Sequence, residues 1–231
     1  FVFNTKILPE IHHTFNVLHA GFYIEMLGFA FNQQHKTTVF TVQNLSFLSP
    51  LLVLDDKNVR VQLIIDDSSS FIFYSNDGAD NWIEHAKGHL VIEHSPLPSI
   101  DSKKDIINRT DNSGDAELFY HRVTSMGMPA GDSIRWTEQY WLNTNELLSQ
   151  FRLATISDRR EQFTMNMHPG IIDACVQTLF LLLPNHLTKP YIASHMGKVE
   201  FYGVPDEQMY VYTVLKELHA DGKQIIGDWY L

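Results

Sequence analysis

A chain of 231 residues with 44% hydrophobic and 12% aromatic side chains carries enough apolar surface for a full core, in one large domain or two small ones packed together. Its formal charge of -10 argues against a phosphate-binding surface, which needs clustered Lys and Arg, so no nucleic acid is expected. The one cysteine, Cys175, excludes an internal disulfide and fits a reducing cytoplasm, and the longest apolar run, "TLFLLL", stops at Pro184, far short of the roughly 20 residues of a membrane span.

In chain order, the opening "FVFNTKILPE" has neither the basic segment nor the cleavage site of a secretory leader, and the chain reads as a domain of a longer protein. "EIHHTFNVLHAGFYIEM" follows, with three histidines before a helix that continues as "AGFYIEMLGFAFN". Period-two stretches come next: "TTVFTVQNLSFL", "NVRVQLIID", "SFIFYSND" and "WIEHAKGHLVIEH". Alternation with β-branched and aromatic residues predicts strands of an antiparallel sheet. The Pro, Ser, Gly, Asn and Asp of "SPLPSIDSKKDIINRTDNSGDAE" predict a linker over 96–116.

The second half repeats the plan. "IRWTEQYWLNTNELLSQFRLA" predicts one or two strands, "HPGIIDACVQTLFLLL" a helix, and "MGKVEFYG", "QMYVYTVLKEL" and "KQIIGDWYL" further strands. His19-Ala-Gly and His168-Pro-Gly each precede an apolar helix with an acid on it, Glu25 or Asp173, a weak internal duplication. The expected architecture is α+β: a first unit over 1–95 and a second over 117–231, each a curved antiparallel sheet wrapped on a central helix. The 12 histidines show no paired ligand spacing such as HExxH, so no metal is expected.

"HPGIIDACVQTL" resembles the HPxxxDxxxQ signature of the dehydratase domains of modular polyketide synthases. Other landmarks are similar in order: "VFTVQNLSFLSPLLVLDDKNVRVQLII", "WIEHAKGHL", "ELFYHRVTSMGMPAG", "VEFYG" and "DGKQIIGDWYL". The resemblance covers nearly the whole chain and implies a double hotdog fold. Two signatures depart from the family. In its HxxxGxxxxP motif the positions of histidine, glycine and proline fall on Glu10, Thr14 and His19, and its YGxxF motif reads "AGDSI", which keeps only Gly131.

Eliminating water from a β-hydroxyacyl thioester needs a base for the α-proton and an acid for the departing hydroxyl, both near the thioester carbonyl. The resemblance implies that Asp173 is the acid, with Gln177 one turn later on the same helical face. Burial among "ACV" and "TLFLLL" would raise the pKa of such an acid and keep it protonated. The base has three options: His19 at the start of the first helix, His12 or His13 after a short deletion, or Glu10, with His19 favoured over His13. Backbone N–H groups at a helix start can hold the thioester oxygen, which singles out Gly21, while Gly131 and Gln177 are candidate substrate contacts. His168 is expected to order a helix start, Tyr23 and Glu25 to lie in a packed core, and Cys175 to be a buried apolar filler.

The resemblance implies no bound cofactor beyond the phosphopantetheine arm of an acyl carrier protein, with the carrier, an adjacent ketosynthase and other synthase domains as partners, a cytoplasmic setting and a homodimer through the parent synthase. Dehydration is the first expectation. The altered first motif keeps open a divergent domain that supports β-branching, shifts a double bond or closes a pyran. An inactive spacer and a stand-alone hotdog thioesterase are the weaker readings.

Overall fold

The structure, a computed structural model, describes residues 2–3, 17–53, 59–76, 81–93, 95–153, 167–203 and 208–231. The chain divides into two compact units. The first comprises Phe1–Pro98, Asp158–Pro169 and Ile192–Val204, the second Ser99–Ser157, Gly170–Tyr191 and Pro205–Leu231.

In the first unit, α1 (Ala20–His35) buries every residue from Gly21 to Gly28 and Phe31 as well. A helix this apolar all round is a core helix rather than a surface one. It ends where Lys36 turns left-handed at φ 57° and donates its N–H to the Asn32 carbonyl at 2.9 Å. The antiparallel sheet runs β1 (Val2–Phe3), β3 (Val59–Ile65), β4 (Ser70–Asn76), β5 (Trp82–Val91), β2 (Phe40–Phe47), β9 (His195–Phe201). Alternation sets its faces: in β4, Phe71, Phe73 and Ser75 are buried and their neighbours are not. Tyr23 of α1 stands edge-on to Phe47 of β2 and Phe73 of β4, with ring centroids 5.5 and 5.1 Å apart, so Tyr23 is core as expected. On β5 the buried His85 joins the Ser75 hydroxyl at 2.7 Å and the Ser49 carbonyl at 3.0 Å. The carbonyl takes the Nδ1 proton, and burial, which lowers the ring's pKa, favours the neutral form in which Nε2 accepts from Ser75.

Strand β9, expected among the strands of the second half, pairs instead with β2, from Phe40 opposite Phe201 to Ser46 opposite His195. The Phe40 and Phe201 rings stack at 4.5 Å and Val199 is buried opposite Val42. Those side chains complete the apolar face of the first sheet, which a strand near it in sequence does not supply.

In the second unit the sheet runs β11 (Ile225–Tyr230), β10 (Tyr210–Leu218), β8 (Glu146–Phe151), β7 (Thr137–Leu142), β6 (Asn112–Asp115), all antiparallel. The stretch 96–116 expected as linker is thus partly secondary structure: it holds α2 (Lys103–Asn108) and β6. Ser102 caps α2 by accepting from the Asp105 N–H, and Ile106 is buried. Arg109 then ties the segment down with paired bonds to Glu146 at 2.7 and 2.9 Å and one to Asp101 at 2.7 Å. A further helix, α3 (Ala116–Ser125), is capped by Asp115 and buries Phe119, Tyr120 and Val123. These pack with Tyr140, Leu147, Phe180, Leu182 and Leu183 as the core.

Candidate active site

Helix α4 (Pro169–Thr178) carries the signature residues, and a 3-10 segment over Leu179–Leu182 extends it. Pro169 takes the first helical position, where its missing N–H costs nothing and its fixed φ suits the helix. His168, buried just before it, sits where a residue ordering the helix start belongs. Ile171, Ile172, Ala174, Cys175, Asp173, Gln177 and Thr178 are all buried, so this helix too is enclosed on nearly every side.

Asp173 is 6% exposed and Gln177 3%. The Gln177 Nε2 donates to Asp173 Oδ2 at 2.8 Å and to the Ile134 carbonyl at 3.3 Å. Two acceptors on that nitrogen fix which end of the amide faces Asp173, and with both protons spent Nε2 has nothing more to give. The amide oxygen, Oε1, is buried and has no hydrogen-bond partner among the described residues. Ile134 closes a 3-10 turn over Asp132–Ile134 that Gly131 begins; Gly131 is exposed and accepts the Ile134 N–H at 3.1 Å. Gly131 therefore shapes the turn whose last carbonyl anchors Gln177. Ile134, which stands at the last aromatic position of the YGxxF motif, acts here through its carbonyl, and a main-chain acceptor leaves no mark on residue type.

Below the acid, the Thr178 hydroxyl meets the Cys175 carbonyl at 2.5 Å and the Thr213 hydroxyl of β10 at 2.6 Å, pinning α4 to the sheet. Past the 3-10 segment, Arg122 Nη2 donates to the carbonyls of Leu183, Pro184 and Leu187 at 3.3, 3.0 and 3.2 Å. Cationic donors suit these terminal carbonyls. Burial, and then the charge of Asp173, push the Cys175 thiol far above its ordinary range, so it is a fully enclosed apolar filler and no nucleophile.

His19 belongs to the first unit, where it is 3% exposed and occupies the N-cap of α1 with extended backbone. Its ring tilts against Phe22 at 4.8 Å, and the neighbouring Leu18 N–H is fixed to the Leu51 carbonyl at 2.9 Å. Two residues on, Gly21 lies against the main chain of Pro169, also in the first unit, with no room for a side chain. His13, like His12 and Glu10, lies outside the described residues. Among the described residues no three His, Cys, Asp or Glu side chains are grouped to hold a metal, and no helix is long and apolar enough to cross a membrane.

Each unit thus sets an antiparallel sheet with an apolar helix, and the second carries an aspartate held by a glutamine one turn away. The family model described as the polyketide synthase dehydratase N-terminal domain matches residues 100–231. The chain belongs to the polyketide synthase dehydratase family. Solved structures agree on the double hotdog fold of this dehydratase-family chain. A histidine-to-phenylalanine inactive mutant of the CurJ dehydratase, in complex with compound 21, is 21% identical with a TM-score of 0.82, covering 99% of this chain and 82% of that one. An aspartate-to-asparagine inactive mutant of the CurK dehydratase is 16% identical with a TM-score of 0.80, covering 99% and 88%. A trans-AT polyketide synthase dehydratase domain from Brevibacillus brevis is 17% identical with a TM-score of 0.78, covering 95% and 82%. No curated protein matches the chain significantly.

Proposed function

We propose that this chain dehydrates a β-hydroxyacyl thioester carried on the phosphopantetheine arm of an acyl carrier protein, as one domain of a cytoplasmic, dimeric polyketide synthase beside a ketosynthase. No bound cofactor is called for. The observation that carries the reading is the Asp173 carboxyl, buried on an apolar helix with one oxygen held by Gln177 at 2.8 Å. That bond fixes which carboxyl oxygen faces the glutamine and so orients the group. In this reading Asp173 acts as the proton donor that loss of the hydroxyl requires.

His19 takes the α-proton in this scheme. The electron pair left on Cα forms the Cα=Cβ bond, the Cβ–O bond breaks, and Asp173 protonates the departing oxygen to give water. The proton gained by His19 returns to Asp173 through solvent, resetting the pair. The N–H of Gly21 at the start of α1 holds the thioester oxygen as negative charge develops on it. Gly131 borders the path of the acyl chain. Supporting the pairing, a histidine-to-phenylalanine and an aspartate-to-asparagine variant of the CurK dehydratase are both described as inactive.

Incubating the chain with β-hydroxyacyl carrier protein should release water, seen as a mass loss in the acyl arm. Asp173→Asn and His19→Ala should each lower the rate at least ~100-fold, the lower range for loss of a positioned acid or base. No loss of water from any stereoisomer overturns dehydration. Glu10 and His19 at the family's histidine and proline positions favour, as second reading, a divergent domain acting on an enoyl thioester by branching, isomerisation or cyclisation. A shifted double bond or closed ring from the enoyl carrier substrate would select it.

A further inference from the structure

The Gln177 amide is half used. Both protons of Nε2 go to Asp173 and Ile134, while Oε1, in a residue 3% exposed, meets no donor among the described residues. A buried acceptor without a donor is costly and uncommon, and where it persists beside a reactive group it invites a ligand's donor. Turning the amide over does not relieve it, because Oε1 would then face the Ile134 carbonyl that now accepts from Nε2.

We propose that Gln177 Oε1 accepts the hydrogen of the substrate's β-hydroxyl and so lets the site tell an alcohol from an alkene. This rests on Asp173 and Gln177 facing the acyl chain, as in the reading above. A hydroxyl that donates to Oε1 turns a lone pair toward the Asp173 carboxyl, which is the alignment the departing oxygen needs when Asp173 protonates it. Once water has gone, the enoyl product has no donor at Cβ and Oε1 loses its partner. The same atom therefore favours binding of the alcohol and release of the alkene. A saturated acyl chain, which also lacks the donor, is disfavoured equally.

The test separates this from turnover by using the full chain silenced as His19→Ala, which leaves Asp173 and Gln177 in place. Dissociation constants are measured by calorimetry for pantetheine thioesters of each 3-hydroxyhexanoate enantiomer, of hexanoate and of trans-2-hexenoate. One hydroxy enantiomer should bind about tenfold more tightly than the other two acyl chains, the effect of one hydrogen bond to a buried acceptor. Adding Gln177→Met should bring the ratio to within about twofold. Gln177→Asn keeps the amide polarity and draws the oxygen back by one methylene; it should lose the preference too, and serves if the Met variant fails to fold. An unchanged preference in either folded double variant, or no preference for either enantiomer in the single variant, overturns the proposal. Dehydration by the wild-type chain is scored separately, so a silent domain with an intact alcohol preference refutes only the function proposed above.

Discussion

Replacing Gly21 by alanine sets two effects of opposite sign against each other. Inside a helix, alanine is favoured over glycine by about 1 kcal/mol, so propensity alone predicts a more stable protein. Packing predicts the reverse. A methyl at Gly21 overlaps the Pro169 carbonyl oxygen and lies 2.8 Å from its carbonyl carbon and 3.2 Å from its Cα. Carbon atoms rest about 3.5–4.0 Å apart, and all three neighbours are main chain, so none can swing aside as a side chain would. The overlap belongs at the top of the ~1–3 kcal/mol range for overpacking, leaving a net loss of about 2 kcal/mol. For a chain of this size that lowers Tm by about 4–8 °C. Thermal unfolding followed by tryptophan fluorescence measures it, with Gly197→Ala as control, since a methyl there meets nothing within 4 Å. A Gly21→Ala protein melting at or above the wild-type temperature refutes the close approach.

Thr178→Val should cost about 1–2 kcal/mol in urea unfolding by leaving the Thr213 hydroxyl buried without its partner, and Thr178→Val with Thr213→Val together should cost less than the sum of the two single changes. Burial lowers the pKa of His85 below its ordinary 6.5, so the unfolded chain takes up the proton first. The stability contributed by the neutral ring is whole above about pH 6.5 and falls as the pH drops below it. His85→Gln should flatten that limb of the stability profile, and an unchanged profile would show that His85 does not govern it.

How far the fold can be read from sequence depends on where each signal resides. The period-two stretches became β2 to β5 because a sheet with one covered face writes its alternation into the residues, as Phe71, Phe73 and Ser75 show. Helix α4 was legible through both its apolar run and its spacing of Asp173 and Gln177. Helix α2 and strand β6 were not, since Ser, Asp and Asn read locally as loop, while the bonds that order them reach to Glu146 and to β7. The placement of β9 was hidden for the same reason: its partner lies far away in the chain. In the candidate site, residue type announced the acid and the glutamine. The Ile134 carbonyl that orients the glutamine could be found only in three dimensions.

The pairing of Phe40 with Phe201 makes the order of synthesis matter. On a ribosome, domains generally fold as units from the N-terminus while the rest is still being made. Here the first unit can build α1 and four or five strands early, yet β2 stays an open edge bearing Phe40, Val42 and Leu45 until residue 201 has emerged. Unpaired edges of this kind invite pairing with other chains. A truncation after Pro98 would therefore yield an aggregating fragment rather than a half-sized domain, and slowing translation between β8 and β9 would lengthen the period in which the nascent chain needs a chaperone.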